Sequence, residues 1–325
     1  MKYIIVTHTD MDGIGSAAIY IYLQGVKPVN IYFTEPYLLH KTMKKLVNVK
    51  DIDKIALMDL GGNPNIFDEV AIYIERIRGR GIEVEWYDHH VWNEEWINRL
   101  KELGVRIVVD RSTCGAGVVA RHAPRARENI DEEFLTEVVS GVCAGDLWRF
   151  DHWRGPWYLR LVRRRDTREW RLHVIDVISQ GIAWAEEFTE KIRERLEIEL
   201  REYSLVDNHI VKTRVDGYLI AVAPNSDNVD NSFTAAYVMG RTGADIVGIV
   251  SKSGKLSLRS RSVNIRELAV ALGGGGHPRA AGALIKLPFI VRLKALFSIR
   301  PVLEYTSKTL AENIRYVSPL EDSRE

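Results

Sequence analysis

The sequence predicts an α/β protein of two domains: an N-terminal domain wound around a parallel sheet and a smaller C-terminal α/β domain, joined by a helical linker. Three observations carry this. The chain has 325 residues, past the size at which a single hydrophobic core stops growing. From residue 3 to about 110, short apolar runs alternate with longer segments of helical period, as in a parallel sheet with crossover helices. After a long charged amphipathic stretch, strand-like runs begin again at YLIAVAP (218–224).

In chain order the first strands are expected in YIIVTH, VNIYF, KIALMDL, VEWYD and VRIVVD, with helices from Gly13 to Leu23 and from Asn65 to Arg78. A helical region follows from about Asp131 to Leu147, then a Trp- and Arg-rich insert at about 148–170, further helices, and an amphipathic helix from about Trp184 to Tyr203. These divisions give a first domain at 1–183, a helical linker at 184–206 and a second domain at 207–325. In the last, a helix is expected near Phe233 to Met239 and a hairpin turning at Ser253-Gly254. Asn264 and Glu267 are spaced as a capping box for a helix that runs into the glycines at 273–276.

Composition narrows the function classes. With 46% hydrophobic and 27% charged residues, the chain can bury a core, which excludes a disordered or fibrous protein. A net charge of +1 excludes a strongly basic nucleic-acid coat protein. Cys114 and Cys143 lie in small, apolar surroundings and read as buried reduced thiols, which fits a cytoplasmic protein. No apolar run is long enough to span a membrane, and the N-terminus enters a strand directly instead of showing an export signal. Glutamine occurs only at Gln24 and Gln180 while Arg, Glu and Ile abound, a bias of proteins from hot environments.

The chemistry-bearing residues concentrate at strand ends. His8, Asp10 and Asp12 follow the first run at alternate positions, which on an extended backbone face one way; the plain alternative is that Asp12 caps a helix and Gly13 turns the chain. Asp59 follows IALM, where it would otherwise cap the next helix. Asp88-His89-His90 end the fourth run, and a carboxylate beside two imidazoles has no ordinary packing reason there. Asp146 shares a helix face with Phe134, Val138 and Val142 at intervals of four, so its carboxylate needs a partner, Arg, His or a cation. Acids mixed with imidazoles and no thiolate suit Mn²⁺, with Mg²⁺, Co²⁺ or Fe²⁺ as alternatives, better than structural zinc. The carboxylates exceed one ion's need, which points to a two-metal centre able to activate water and neutralise a phosphoryl group.

These residues resemble the motifs of the DHH phosphoesterase superfamily: HTDMDGIGSA (8–17), Asp59 in LMDLGG, Asp88-His89-His90, and Asp146 in AGDLW. LSLRS (256–260) and GGGGHPRAAG (273–282) are similar to its DHH-associated substrate-binding domain. Relatives include RecJ-type exonucleases and nanoRNases. The resemblance implies that His8, Asp10, Asp12, Asp59, His89 and Asp146 ligate two divalent ions, Mn²⁺ first, with Asp59 as the bridge. It implies that Asp88 orients His90, that His90 meets a substrate phosphate, and that Arg259 contacts phosphate or base. Catalytic roles thus fall to Asp59, Asp88, His89 and His90.

The glycine run has its own physics. Gly274, Gly275 and Gly276 let backbone N–H groups approach an anion, a helix expected to begin near Pro278 would add its positive end, and His277 and Arg279 supply further donors. Arg259 alternates with Leu256 and Leu258 and so faces away from them beside Ser257. In the insert, tryptophans packing onto the catalytic domain and arginines in surface ion pairs outweigh a base-stacking channel.

The expected activity is metal-dependent hydrolysis of short single-stranded RNA or DNA, with one domain bringing the metals and the other holding the substrate across a cleft. Alternatives are a phosphatase on polyphosphate, pyrophosphate, a nucleotide 3'-phosphate or a cyclic dinucleotide, and, in another class, an inactive replication or repair scaffold. No membrane partner is expected. A homodimer and replication or repair partners are compatible with the sequence.

Overall fold

A computed structural model of the chain describes residues 1–320 and divides it into two compact units, Met1–Thr189 and Glu190–Glu325. In chain order the first unit contains β1 (Tyr3–Thr7), α1 (Met11–Gln24), β2 (Asn30–Phe33), α2 (Leu39–Leu46), β3 (Lys54–Met58), α3 (Phe67–Arg78), β4 (Glu83–Asp88), α4 (Glu94–Glu102), β5 (Arg106–Val109), α5 (Gly115–His122), α6 (Glu132–Asp146), α7 (Gly155–Leu161) and α8 (Arg168–Ser179). Helix α9 (Glu186–Asp207) carries the boundary. All five strands pair in parallel, in the order β2-β1-β3-β4-β5.

Each face of this sheet has its own core, and β1 and β3 are buried throughout. Tyr3, Ile5, Ala56 and Met58 join the cluster of α1, α5, α6 and α8, while Ile4, Val6, Ile55 and Leu57 join that of α2, α3 and α4. Helix α1 is buried along its whole length, consistent with its small and apolar residues. The order places the ends of β1 and β3 at the point where the chain reverses direction across the sheet, the position at which open α/β sheets form their sites.

The second unit contains β6 (Val211–Val215), β7 (Tyr218–Pro224), α10 (Asn231–Thr242), β8 (Ile246–Val250), β9 (Lys255–Arg259), β10 (Val263–Asn264), α11 (Arg266–Ala271), β11 (Gly275–Gly276), β12 (Ala280–Leu284), α12 (Phe289–Lys294), α13 (Arg300–Glu312) and β13 (Ser318–Pro319). Its six-stranded sheet runs β11-β12-β9-β8-β7-β6, with only β7 and β8 parallel. The expected hairpin is present, and Gly254 at its turn has a φ of 89°.

Two expectations are corrected. Cys114 and Cys143 are not free thiols but form a disulfide, with Cα atoms 5.1 Å apart and a separation of 29 in sequence. Packing of α5 against α6 brings them together, a tertiary juxtaposition that spacing alone does not reveal. Closing a loop of this size stabilises a fold by roughly 3–4 kcal/mol. Nor does a helix begin at Pro278: residues 277–279 turn the β11–β12 hairpin, in which Gly275 pairs with Gly282 and Gly276 with Ala281. The glycines permit this because a Cβ on Gly274 would lie 1.9 Å from the Gly282 carbonyl oxygen.

The insert after residue 147 packs largely as expected. Trp148 is buried, Trp170 packs edge-on against Phe188, and Arg149 and Arg154 pair with Asp151 and Glu137. Trp153 is exposed.

Candidate metal centre

The site forms at the carboxyl ends of β1, β3 and β4, beneath the start of α5 and the end of α6. Asp10 is the N-cap of α1, accepting from the Gly13 N–H at 3.3 Å. That frees Asp12, in the first turn, for another role: its two oxygens accept from the N–H groups of Gly115 and Ala116 at 2.7 and 2.8 Å. The exposed donors and positive end of α5 suit a carboxylate there. Gly115 is required at this point, since a Cβ would meet Asp12 Oδ2 at 2.9 Å and the Asp59 Cβ at 3.0 Å.

Asp59 lies between two groups of ligand-type side chains. On one side His8 Nδ1 is 2.9 Å from Asp10 Oδ2 and 3.4 Å from Asp59 Oδ2. On the other, His89 Nε2 is 3.5 Å from Asp12 Oδ2, 3.4 Å from Asp59 Oδ1 and 3.7 Å from Asp146 Oδ2. His8, Asp10 and Asp59 each offer one ligand atom within 4.8 Å of the others, as do Asp12, Asp59 and His89, and Asp59, Asp88 and His90. Asp59 also has a φ of 54°, a conformation that costs a non-glycine residue roughly 1–3 kcal/mol.

Buried oxygens left without hydrogen bonds test whether a cation fits. Among the described residues, Asp59 Oδ2 and Asp146 Oδ2 are such atoms. A buried carboxylate oxygen without a hydrogen bond is costly, and hard oxygen donors with imidazole nitrogens are what a divalent ion of the manganese kind takes. The residues present therefore fit the ions.

Protonation follows the same geometry. Burial, then the charges of Asp59 and Asp146, lift the Asp12 carboxyl well above the carboxylate range. Burial first, and repulsion from Asp59 and Asp10 against the pull of His89, raise Asp146 to about 6. For His89 burial works against the imidazolium, but Asp59, Asp12 and Asp146 outweigh it and raise it to about 11. His8, opposed by burial and favoured by Asp10, Asp59 and Glu35, is raised as well. Without metal, protons supply part of the positive charge that the cluster requires.

Asp88 is fully buried and stands behind the cluster. Its oxygens accept from the His90 N–H at 3.1 Å and Trp92 Nε1 at 2.6 Å, and Asp88 Oδ1 lies 2.9 Å from His90 Nδ1. Burial opposes His90's charge, yet Asp88 raises it to about 9.

Three supports were not read from the sequence. Glu35, just past β2, lies 3.2 Å from His8 Nε2 and accepts from the Thr9 hydroxyl; as an acid after an apolar run it carries the same signal as Asp59. Arg171, buried, donates Nε to the Thr9 carbonyl at 2.9 Å and its other nitrogens to the carbonyls of Arg163, Arg164 and Asp166, fastening the insert to the first motif. The third is the pair of α5 N–H groups. Asp110, another strand-end acid, instead accepts from Ser112 and Arg121.

In the second unit Leu256 and Leu258 are buried while Ser257 and Arg259 face the other way. Arg259 donates to the Ser232 hydroxyl at 2.8 Å, and Asn231 Nδ2 to the Ser257 hydroxyl at 3.0 Å. Gly274 to Gly276, His277 and Arg279 lie on or beside the β11–β12 hairpin.

The model of the DHH family N-terminal domain matches residues 2–145, and that of the DHHA1 domain matches residues 216–297. No curated protein matches the sequence. Among solved structures, RecJ in complex with Mn²⁺ from Thermus thermophilus has a TM-score of 0.55 at 14% identity, over 98% of this chain but 53% of that one. An exonuclease RecJ bound to manganese gives 0.51 at 15% identity, over 97% and 92%. An exopolyphosphatase-related protein from Bacteroides fragilis gives 0.52 at 16% identity, over 93% and 94%. At these identities the structures share the fold. The two family models, in this order along the chain, show that the protein belongs to the DHH phosphoesterase superfamily, with a DHH N-terminal domain and a DHHA1 domain.

Proposed function

We propose that this phosphoesterase hydrolyses short single-stranded oligonucleotides at a centre of two divalent ions, Mn²⁺ being the preferred metal. The observation that carries the reading is Asp59: a strained, buried carboxylate shared by two ligand groups, with an oxygen that has no hydrogen-bond partner. His8 and Asp10 would hold one ion with Asp59, and Asp12, His89 and Asp146 the other. When bound, such ions lower the pKa of water and neutralise charge on a phosphoryl group. Asp12 is aimed by the N–H groups of α5, and Asp88 fixes the ring of His90. His90 donates from Nε2 to a phosphate oxygen. Arg259, the backbone at Gly274 to Gly276, His277 and Arg279 contact the rest of the substrate. The near-neutral charge favours short substrates over tracking along a polyanion. No described helix is long and apolar enough to cross a membrane. We place the protein in the cytoplasm, where a disulfide is of the kind found in proteins of hot environments.

A second reading, hydrolysis of a phosphoanhydride such as polyphosphate, draws on the Bacteroides relative, which this chain matches over nearly the whole of both lengths. One panel separates the two: labelled di- to decanucleotides, cyclic dinucleotides and polyphosphate, incubated with Mn²⁺ and sampled over time. Cleavage of the short oligonucleotides in preference to the rest is expected. Turnover of polyphosphate alone favours the second reading, and no metal-dependent turnover of any substrate favours a silent scaffold.

A further inference from the structure

Cys114 and Cys143 stand outside every metal motif, yet their disulfide joins the two helices that flank the carboxylate cluster. Cys114 is the N-cap position of α5. The next two residues donate their N–H groups to both oxygens of Asp12, so the first turn of α5 sets the plane of that carboxylate. The same turn is pressed against Asp59, as the clash expected for a Cβ on Gly115 shows. Cys143 lies on α6 three residues before Asp146, and residues at this spacing share a side of a helix. Thr113 Oγ1, 3.4 Å from Cys143 Sγ, adds a contact across the same seam. The bond therefore ties the donors that aim Asp12 to the helical turn that ends in Asp146.

We propose that the Cys114–Cys143 disulfide is a positioning clamp for the divalent-ion site, and that reducing it weakens cation binding. The proposal rests on the reading of the cluster as a metal centre. Neither sulfur touches an ion or substrate; both act through Asp12 and Asp146. Reduction is an exchange with a dithiol. A thiolate of the reagent attacks one sulfur, the S–S bond breaks to give a mixed disulfide and one cysteine thiol, and the second reagent thiol releases the other cysteine. The protein gains two electrons and two protons, and the dithiol leaves as a cyclic disulfide. Both cysteines are buried, so the exchange waits on opening of the α5–α6 seam. Losing support behind metal ligands typically weakens binding about 10- to 100-fold.

The test is calorimetric titration of metal-stripped protein with Mn²⁺ in four forms: oxidised, reduced with dithiothreitol and desalted without oxygen, reoxidised, and the Cys114→Ala/Cys143→Ala variant. Mass spectrometry gives the thiol state, and far-UV circular dichroism sets a temperature at which each form is folded. The expected result is at least about tenfold weaker binding in the reduced form and the variant, with affinity restored by reoxidation of the wild type. Equal affinity in folded oxidised and reduced protein overturns the clamp, even if the reduced form melts earlier, because the bond is then only a cross-link for stability. Free thiols in the untreated protein overturn it too, as does failure of both the reduced form and the variant to fold at any temperature. If oxidised wild type binds no Mn²⁺, or Asp59→Asn binds as wild type does, the metal centre itself is wrong and the clamp falls with it.

Discussion

The turn at Asp59 and the glycine run at 273–276 both break ordinary sequence rules, for opposite reasons. Asp59 takes a left-handed conformation without being glycine, is buried, and leaves Oδ2 without a hydrogen bond, the His8 ring lying 3.4 Å away. Gly273, Gly274 and Gly276 are explained by backbone geometry and packing. Gly273 has a φ of 78° where α11 ends, and Gly274 passes too close to the Gly282 carbonyl for any side chain. Strain that the fold leaves uncompensated points to a ligand, whereas strain resolved by a close backbone contact points first to architecture. The comparison makes the carboxylate cluster the stronger functional assignment and the hairpin the weaker one.

Asp59→Ala and His89→Ala should each lower turnover by about 10³-fold or more, with the fold retained by circular dichroism; near wild-type turnover in either would remove the cluster from the chemistry. Next in size is Arg259→Ala. If Arg259 contacts phosphate, the variant raises KM roughly 10- to 100-fold, the worth of a charged hydrogen bond, with Mn²⁺ content unchanged. Unaltered kinetics across the oligonucleotide panel would confine Arg259 to its bond with Ser232.

Within the hairpin, Gly274→Ala should cost about 1–3 kcal/mol by overpacking. Gly275→Ala, with nothing within 4 Å of its Cβ, should change stability by no more than about 0.5 kcal/mol. Urea unfolding checks both, and a Gly275→Ala protein that is stable but poor in KM would restore the hairpin as a phosphate cradle.

A further test concerns pH. The folded Asp146 carboxyl is raised from its ordinary value to about 6, so the protonated form is favoured in the folded chain. Its contribution to stability is present below the unfolded value and is lost as pH rises through about 6. Metal-free Asp146→Asn should therefore gain on wild type across that window, by roughly 1–3 kcal/mol. Melting curves of both proteins at several pH values measure it; a constant gap would mean that Asp146 is already compensated.

Much of the first unit was legible because burial on both faces of a parallel sheet makes β1 and β3 mostly apolar runs with sharp ends, and the acids stand at or just past those ends. Helix α5 was not, since GAGVVARH is short and glycine-rich, yet its N–H groups aim Asp12. Strand order was not legible either, because pairing is decided by tertiary contacts. Edge strand β6, VKTRV, alternates half-buried with exposed residues and gives no apolar run. The hairpin at 275–284 was misread as the start of a helix, because the reason for its glycines lies across the strand pair, at Gly282, and not in the local sequence. The disulfide was missed for a related reason: a sequence separation of 29 tells nothing of a Cα separation of 5.1 Å.

Anomalous diffraction from crystals grown with Mn²⁺ tests whether Asp59 is shared by two ions. The account predicts two peaks roughly 3.5–4 Å apart, one beside His8 and Asp10, the other beside Asp12, His89 and Asp146, with Asp59 contacting both. A single peak, or peaks away from Asp59, would contradict it.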